Sequence, residues 1–445
     1  MKLAFAHAPR PFTYEGEIPG DKSMTHRALL LGAMAKGRTE IQRPLRSADT
    51  LATLELIRAL DVQVEERDGG WVVYGGGPFP PKAGTIDCGN SGTTMRLGAG
   101  LLAGLGVEAT LVGDDSLSRR PMGRIVKPLR LMGGCIGSHE GRAPLTLGPR
   151  EGSLRGLRYR LPVASAQIKS CLLLAGLGAK EEVTIREPLL SRDHTERLFR
   201  YLGVSLEESW TPSGEHQVLL QPHQGSSLVG KVIRVPGDPS SAAPLAVLTA
   251  LIPGARLVLH HVGLNPSRGG FWQVLKRAGV EVVFRQEREE AGEPVGTVEV
   301  VGPEAIESFS VLPEEVPHLL DEVPVLAVLA LKAKGVSSFY GLSELRVKES
   351  DRVSAIREEL GKMGGMIVER GDDLFVEGGH LLRGARVSSR GDHRLAMMLS
   401  LASFLARGEV EIEGAEALSV SFPTFRDVLR EMVEEAGGRM EVLER

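Results

Sequence analysis

Cationic and hydroxyl side chains recur where the sequence predicts that helices begin. Lys22, Ser23 and Arg27 open one apolar segment, and Arg394 opens another after Asp392. A helix start carries unpaired N–H groups and the positive end of the helix dipole, so it attracts anions. Cations there oppose the dipole unless an anion offsets the repulsion. The pattern therefore predicts anion binding at these helix starts.

Two further segments offer donors of the same kind. The turn Gly-Asn-Ser-Gly-Thr-Thr at 89–94 exposes successive N–H groups that can surround an anion, and Arg96 follows it. Arg120 lies in a cation-rich run, which is more often a solvated surface. Ser165 and Gln167 add neutral donors that suit phosphate or hydroxyl oxygens.

Two carboxylates stand beside cations. We expect Asp321 and Glu322 to open an apolar helix, and Lys348, Glu349 and Arg352 to open an amphipathic one. A carboxylate whose pKa is set by cations and burial can act as a general acid or base. Helix capping and ion pairing explain the same residues equally well. The spacing alone leaves both interpretations open.

The cations in these segments are too many for one small anion: Lys22, Arg27, Arg96, Arg120, Lys348, Arg352 and Arg394. They suit two polyanionic ligands in a desolvated cleft, where arginine grips carboxylate and phosphate groups. Neither zinc-site spacing nor a Ser-His-Asp or Cys-His arrangement is evident. We therefore expect a metal-free site.

Composition argues against several classes of function. The 445 residues carry a net charge of −4 and only 4% aromatics, which opposes binding of a nucleic-acid backbone or stacking on bases. Apolar stretches are too short to span a bilayer, so we expect no membrane partner. The three cysteines lack disulfide or metal spacing, and the start MKLAFAHAPR lacks a signal-peptide core. These features favour the cytoplasm.

The elements that position these groups repeat six times along the chain. Each unit has a polar opening, an apolar helix of about three turns, a glycine and a strand, followed by a second helix and strand. The closing glycines are spaced 69 to 81 residues apart. The repeat predicts an α/β fold built from six compact units.

Two similar segments, Pro-Gly-Asp at 19–21 and at 236–238, divide the repeats into two sets of three. They predict a first lobe over 19–236 and a two-segment hinge near 18–20 and 235–238. A hinge of this kind implies an interdomain cleft that can close.

Six motifs, in this order, resemble those of the enolpyruvyl transferase family: PGDKSMTHR (19–27), GNSGTTMR (89–96), RRPMGR (119–124), SAQIK (165–169), LRVKESDR (345–352) and GDHR (391–394). The resemblance covers nearly the whole chain. SAQIK and SRDHTE (191–196) are similar to the bacterial class II group, whose members often tolerate glyphosate.

The resemblance implies two inside-out α/β barrel domains of three βαβαββ units each, with residues 1–18 joining 237–445 in the second lobe. It implies transfer of the enolpyruvyl group of phosphoenolpyruvate to the 5-hydroxyl of shikimate 3-phosphate, through a tetrahedral intermediate, with loss of phosphate. It also implies a monomer that needs no metal or organic cofactor and that glyphosate can inhibit.

Roles follow residue by residue from the matched motifs. Asp321 is the expected base for the 5-hydroxyl and Glu349 the expected proton donor, with Lys22 also in the catalytic set. The residues implied to bind shikimate 3-phosphate are Lys22, Ser23, Arg27, Ser165, Ala166, Gln167, Ser191, Asp321 and Lys348. Those implied to bind phosphoenolpyruvate are Lys22, Asn90, Gly92, Thr93, Arg120, Gln167, Arg352 and Arg394.

Three positions depart from family patterns. Ala166 replaces a frequent serine, the stretch SVSFP (419–423) lacks a frequent lysine, and Gly92 stands where some tolerant enzymes have alanine. A glycine leaves more room for glyphosate, so tolerance is in doubt.

Two alternatives stay open. A family member that uses UDP-N-acetylglucosamine as acceptor is suggested by MGGCIG (132–137), although we expect Cys135 to be a core residue. A non-catalytic clamp for anions or nucleic acid would also use repeats, but the net charge opposes it.

Overall fold

A computed structural model describes residues 1–5, 9–150, 152–222 and 228–442, and the chain divides into two compact units. The first unit comprises Gly20–Pro236 and Glu289–Glu293. The second comprises Met1–Pro19, Gly237–Arg288 and Pro294–Arg445. The lobe bounds expected from the sequence place 289–293 in the second lobe instead. Residues 6–8, part of its 1–18 segment, lie outside the described residues.

The helices begin close to the predicted polar openings. Those of the first unit are α1 (Lys22–Met34), α2 (Ala48–Arg58), α3 (Gly92–Leu105), α4 (Asp115–Arg119), α5 (Gly123–Leu131), α6 (Ala166–Gly176) and α7 (His194–Leu202). Those of the second are α8 (Pro239–Leu251), α9 (Gly270–Arg277), α10 (Val323–Lys332), α11 (Arg352–Lys362), α12 (His393–Ala402) and α13 (Phe425–Glu435). Within the described ranges, no helix is long and apolar enough to cross a membrane.

Capping side chains explain why several of these helices begin where they do. Asp21 accepts a hydrogen bond from the N–H of Met24 at 2.8 Å, and Ser91 accepts one from Thr94 at 3.1 Å. Asp392 caps α12 in the same way. Each such bond satisfies an N–H group that the helix leaves unpaired and stabilises the helix by about 1 kcal/mol.

The strands of the first unit form three four-stranded sheets. Edge to edge these are β14 (Val232–Arg234), β3 (Gly37–Gln42), β5 (Gly70–Gly75), β4 (Gln63–Arg67); β6 (Lys82–Asp87), β7 (Glu108–Val112), β9 (Arg142–Leu147), β8 (Ile136–His139); and β10 (Leu157–Arg160), β11 (Val183–Glu187), β13 (His216–Leu220), β12 (Leu206–Trp210).

The second unit has three sheets of the same size and a two-stranded one. The larger sheets are β2 (Thr13–Glu17), β15 (Arg256–Gly263), β17 (Glu293–Val301), β16 (Glu281–Glu290); β18 (Ser310–Val311), β19 (Val336–Phe339), β21 (Asp373–Glu377), β20 (Met366–Arg370); and β23 (Arg386–Ser388), β25 (Val410–Glu413), β1 (Lys2–Phe5), β26 (Gly438–Glu441). The small sheet pairs β22 (Leu382–Arg383) with β24 (Ala406–Arg407).

All six larger sheets share one pairing pattern. The first two strands of each are parallel, and the third is antiparallel to the second. A parallel pair needs a crossover, and α3 supplies it between β6 and β7. The α/β class is therefore confirmed, and the repeat read from the sequence is a repeat of sheet topology.

Two sheets are completed by strands that are distant in sequence. β14 pairs in parallel with β3. β1, at the start of the chain, pairs with both β25 and β26. Each unit thus completes its set of sheets with a strand from far along the chain.

The helices formed by the most apolar stretches of the chain are buried in their units. Every residue of α8 is buried, and α8 packs on α10 and α12. In the first unit α3 lies so close to α6 that a Cβ at Gly100 would come 2.1 Å from the carbonyl oxygen of Cys171. This close packing sets the distance between the polar ends of α3 and α6.

Candidate functional site

Most of the predicted residues of the first unit lie at the starts of α1, α3 and α6, and Arg120, which follows α4, contacts Asn90 at the start of α3; we call this group the basic cluster. Its members are Lys22, Ser23, Arg27, Asn90, Gly92, Thr93, Arg96, Arg120, Ser165, Ala166 and Gln167. Among them, the Nζ of Lys22 lies 3.1 Å from Oδ2 of Asp49, in the first turn of α2. The carboxylate of Asp49 therefore offsets part of the repulsion between Lys22 and the positive end of the α1 dipole. The sequence alone predicts that a bound anion offsets it.

Arg27 is a buried cation, with 3% of its surface exposed. Its guanidinium donates to the Thr195 hydroxyl at 2.7 Å, the Ser170 hydroxyl at 2.7 Å and the Ser23 carbonyl at 2.9 Å. Burial lowers the pKa of Arg27 to about 10, so the side chain still carries its charge at neutral pH. These partners hold the guanidinium in place and are themselves neutral, which suits binding of an anion.

Gln167 joins α6 to the start of α3. Its Oε1 accepts from Arg96 at 2.5 Å, and its Nε2 donates to the hydroxyl of Thr93 at 2.9 Å. Ser165, the residue before α6, accepts from the N–H of Ile168 at 3.5 Å. The amide therefore fixes the spacing between two helix starts whose N–H groups can face one ligand.

Asn90 and Gly92 bring two arginines to the start of α3. Arg120 donates to Oδ1 of Asn90, whose amide nitrogen donates to Asp114 at 2.7 Å. A Cβ at Gly92 would lie 2.9 Å from a terminal nitrogen of Arg96 and 3.4 Å from one of Arg120. The absence of a side chain at this position lets both guanidinium groups approach.

Ser191 lies outside the basic cluster, before α7, and belongs to a buried ionic network. Its hydroxyl donates to Oε2 of Glu187 at 2.6 Å, and its carbonyl accepts from Nζ of Lys169 at 3.3 Å. The Nζ of Lys169 also lies 2.7 Å from a carboxylate oxygen of Glu187 and 2.7 Å from one of Glu196. Lys169 is the lysine of the SAQIK motif, and the motif by itself indicates no role for it.

The predicted residues of the second unit converge on one guanidinium, and we call this group the acidic cluster. Arg352 contacts Asp392 at 2.8 Å, Glu349 at 2.7 Å and Asp321 at 3.2 Å. Lys348 lies 3.8 Å from the same oxygen of Asp321. The two candidate acid–base carboxylates therefore share a single cation.

Burial and charge act in opposite directions on Arg352, which is 1% exposed. Burial alone would lower its pKa, but the carboxylates of Asp392, Glu349 and Asp321 raise it overall. Removing one partner of such a buried pair costs about 3 to 5 kcal/mol, because it leaves an uncompensated charge. Arg352 is thus a fixed positive charge.

Arg394 reaches the acidic cluster through the starts of α12 and α8. Its backbone N–H donates to Asp392 at 2.9 Å, and its guanidinium donates to the carbonyl of Ser240 at 2.7 Å. The Ser240 hydroxyl in turn donates to the buried Glu322, and Arg268 contacts Asp238 at 3.0 Å. The starts of three buried helices are therefore cross-linked by polar contacts.

Two expectations from the sequence are corrected here. Cys135 is exposed and lies in the segment directly before β8 rather than within the strand, so its assignment to the core is wrong. Lys348 and Glu349 precede α11 instead of opening it, since Asp351 caps that helix by accepting from Val353 and Ser354.

Sequence reasoning missed the partners that hold the cations. Asp49 and Asp392 pair with Lys22 and Arg352 across 27 and 40 residues. A buried cation requires a partner, which is the one signal that could have prompted a search for them. In the parts of the chain described, no group of three or more His, Cys, Asp or Glu side chains is placed to hold a metal ion.

The chain is similar to known proteins over nearly its whole length. The family model of EPSP synthase (3-phosphoshikimate 1-carboxyvinyltransferase) matches residues 8–429. Relatives named 3-phosphoshikimate 1-carboxyvinyltransferase include one from Desulfitobacterium hafniense, 44% identical over 94% of this chain and 95% of its own. Another, from Syntrophomonas wolfei, is 41% identical over 95% and 97%.

The solved structure of EPSP synthase from Acinetobacter baumannii is 36% identical in sequence, with a TM-score of 0.83 over 99% of this chain and 100% of its own. Similarity at this level over nearly the whole chain extends to fold as well as sequence. The chain therefore belongs to the EPSP synthase (3-phosphoshikimate 1-carboxyvinyltransferase) family.

Proposed function

We propose that this chain transfers the enolpyruvyl group of phosphoenolpyruvate to the 5-hydroxyl of shikimate 3-phosphate and releases phosphate. Family membership supports the reaction. The observation that carries the proposal is the acidic cluster, where Asp321 and Glu349 bind one buried guanidinium at 3.2 and 2.7 Å. Two carboxylates fixed around one cation provide separate sites for taking up and delivering a proton.

Shikimate 3-phosphate would bind mainly to residues of the basic cluster. Arg27, Ser23 and Gln167 offer a guanidinium, a hydroxyl and an amide, and Ser165 and Ala166 offer the start of α6. Lys22, Ser191, Asp321 and Lys348 complete the proposed set. The charges and donors match a ligand that carries a carboxylate, hydroxyls and a phosphate.

Phosphoenolpyruvate would be held by guanidinium groups and helix N–H groups. The backbone from Asn90 through Gly92 to Thr93 lies at the start of α3, where Arg120 contacts Asn90 and Gln167 contacts the hydroxyl of Thr93. Lys22, Arg352 and Arg394 complete the proposed set. Glyphosate, which also carries phosphonate and carboxylate groups, would compete for the same positions.

The chemistry needs one base and one acid. Asp321 takes the proton of the 5-hydroxyl while the oxygen of that hydroxyl bonds to the central carbon of phosphoenolpyruvate. Glu349 protonates the methylene carbon. The tetrahedral product then loses a methyl proton and phosphate, which restores the double bond. Fixed cations offset the mutual repulsion of two anionic substrates held in reacting geometry.

Because each unit supplies only part of the proposed set, we also propose that the two units close on the substrates about the segments 18–20 and 235–238. The inside-out barrel form of each unit, a monomeric state and action in the cytoplasm remain predictions.

The experiment measures phosphate release on mixing the chain with phosphoenolpyruvate and shikimate 3-phosphate. UDP-N-acetylglucosamine serves as a rival acceptor, since the exposed Cys135 keeps that alternative worth testing. We expect release with shikimate 3-phosphate alone. Release only with the nucleotide sugar would overturn the proposed acceptor.

Variants test the proposed roles. Asp321→Asn and Glu349→Gln each remove a proposed proton carrier, so kcat should fall by about 100-fold or more. Glu314→Gln makes the same chemical change at an exposed position and should leave kcat unchanged. Wild-type turnover in either test variant would contradict the assigned role.

A further inference from the structure

A buried ionic network lies beneath Ser191, and its central residue is Glu187 at the end of β11. Oε1 of Glu187 is 2.7 Å from Nζ of Lys169 and 2.9 Å from Nδ1 of His216, while Oε2 accepts from Ser191 at 2.6 Å. Glu187 is 1% exposed and Lys169 is fully buried. One carboxylate thus links β11, α6, β13 and the segment that carries Ser191.

The charges of the network balance when its basic members are protonated. Burial alone would raise the pKa of Glu187, but His216 and Lys169 lower it overall. Burial alone would lower the pKa of His216, yet Glu187 and Glu208 raise it to about 9. His216 therefore donates from both ring nitrogens at neutral pH, to Glu187 at 2.9 Å and Glu208 at 3.0 Å.

The network constrains Ser191 in two ways. The Ser191 hydroxyl has a single proton, which points at Glu187, and this fixes the direction of the oxygen lone pairs. The backbone is held as well, because Lys169 donates to the carbonyl of Ser191. Buried charges bonded on every side are costly to rearrange, so this anchor is rigid.

We propose that Glu187 is a positioning residue that fixes Ser191 for the binding of shikimate 3-phosphate. This proposal rests on the function proposed above. Glu187 itself is buried and acts through Ser191. Its loss should therefore weaken affinity for one substrate more than it slows the chemical step.

The first test compares Glu187→Gln with wild type and with Glu182→Gln, the same change at a more exposed position five residues earlier, where Glu182 bonds Arg158. Loss of hydrogen bonds to a buried charge should raise KM for shikimate 3-phosphate by about 10-fold or more. KM for phosphoenolpyruvate and kcat per folded molecule should change by less than about 3-fold. Equal effects on both substrates would overturn the proposal.

A double-variant comparison separates positioning from general damage to the fold. If Glu187 acts through Ser191, then Glu187→Gln should add little to KM in a Ser191→Ala background, whereas independent effects would multiply. Multiplying effects would overturn the proposal. An inactive wild-type chain would instead overturn the proposed function, so the two failures can be told apart.

His216→Gln is a milder variant that keeps the test valid if Glu187→Gln does not fold. The groups facing His216 are Glu187 and Glu208, with Lys169 and Arg200 bonded to those carboxylates. Above pH 9 a neutral His216 can donate to only one carboxylate, so wild-type KM for shikimate 3-phosphate should rise there. In His216→Gln, KM should be raised already at pH 7, and its ratio to the wild-type value should shrink above pH 9. A ratio that stays constant with pH would overturn the proposal.

Discussion

Gly92, which has no side chain, decides how closely two arginines approach the start of α3. The atoms nearest to an added Cβ at Gly92 are terminal nitrogens of Arg96 and Arg120, at 2.9 and 3.4 Å. Both belong to flexible side chains, so an added methyl group would displace them without moving the backbone. Because Arg96 also bonds Gln167, a displacement there spreads to the start of α6.

We therefore expect Gly92→Ala to raise KM for phosphoenolpyruvate by about 5-fold or more, from the cost of overpacking. Inhibition by glyphosate should weaken at least as much, because the same guanidinium groups would hold it. Steady-state kinetics with and without glyphosate measure both effects. Gly77→Ala, where no atom lies within 4 Å of the added Cβ, is the control. Unchanged KM and inhibition would show that the space beside Gly92 is not used.

At the scale of elements, the site depends on how closely buried helices pack. In α3, Gly100 faces the backbone of Cys171. A Cβ added at Gly178, just after α6, would lie 1.9 Å from the carbonyl oxygen of Gly104 in α3. The Gly98-Ala-Gly100 stretch, which imitates a dinucleotide-binding fingerprint, is thus a helix-packing surface. Backbone atoms cannot turn aside as side chains do, so a larger residue must separate the helices.

Replacing Gly100 with alanine should destabilise the fold by about 1 to 3 kcal/mol. The matched control is Gly361→Ala in α11, where nothing lies within 4 Å of the added Cβ. That change should stabilise by about 0.5 to 1 kcal/mol, because alanine favours a helix. Urea unfolding midpoints measure both variants. Equal shifts in the same direction would contradict the packing argument.

For the whole molecule, the important feature is that cations are concentrated locally although the net charge is −4. The basic cluster lies in one unit, and Arg352 with the acid–base carboxylates lies in the other. Neither unit alone supplies all of the anion-binding groups and proton carriers that the proposed reaction needs. This division is the physical reason for proposing that the units close on the substrates.

Closure predicts that the radius of gyration falls when both substrates are bound. Small-angle X-ray scattering on the enzyme in an equilibrium mixture of substrates and products should detect it. The Arg27→Gln variant, with weakened substrate binding, should show a smaller change at the same concentrations. A constant radius in saturated wild-type enzyme would rule out closure about the proposed hinge.

The sequence by itself determined the α/β class, the six repeats and the starts of the buried helices. These features rest on local signals: hydrophobic periodicity, capping residues such as Asp21 and Asp392, and glycines that end helices. The motifs also identified the family, because a motif is recognised from residue types at a fixed spacing. Which residues they contact in the fold need not be known.

Only the tertiary structure decided which residues pair. Asp49 with Lys22, Asp392 with Arg352, and Glu187 with Ser191 and His216 come from different elements. The pairing of β1 with β25, and the exposure of Cys135, likewise depend on packing between distant segments. Periodicity reports which face of an element is buried, whereas the identity of its neighbours is set by how the whole chain packs.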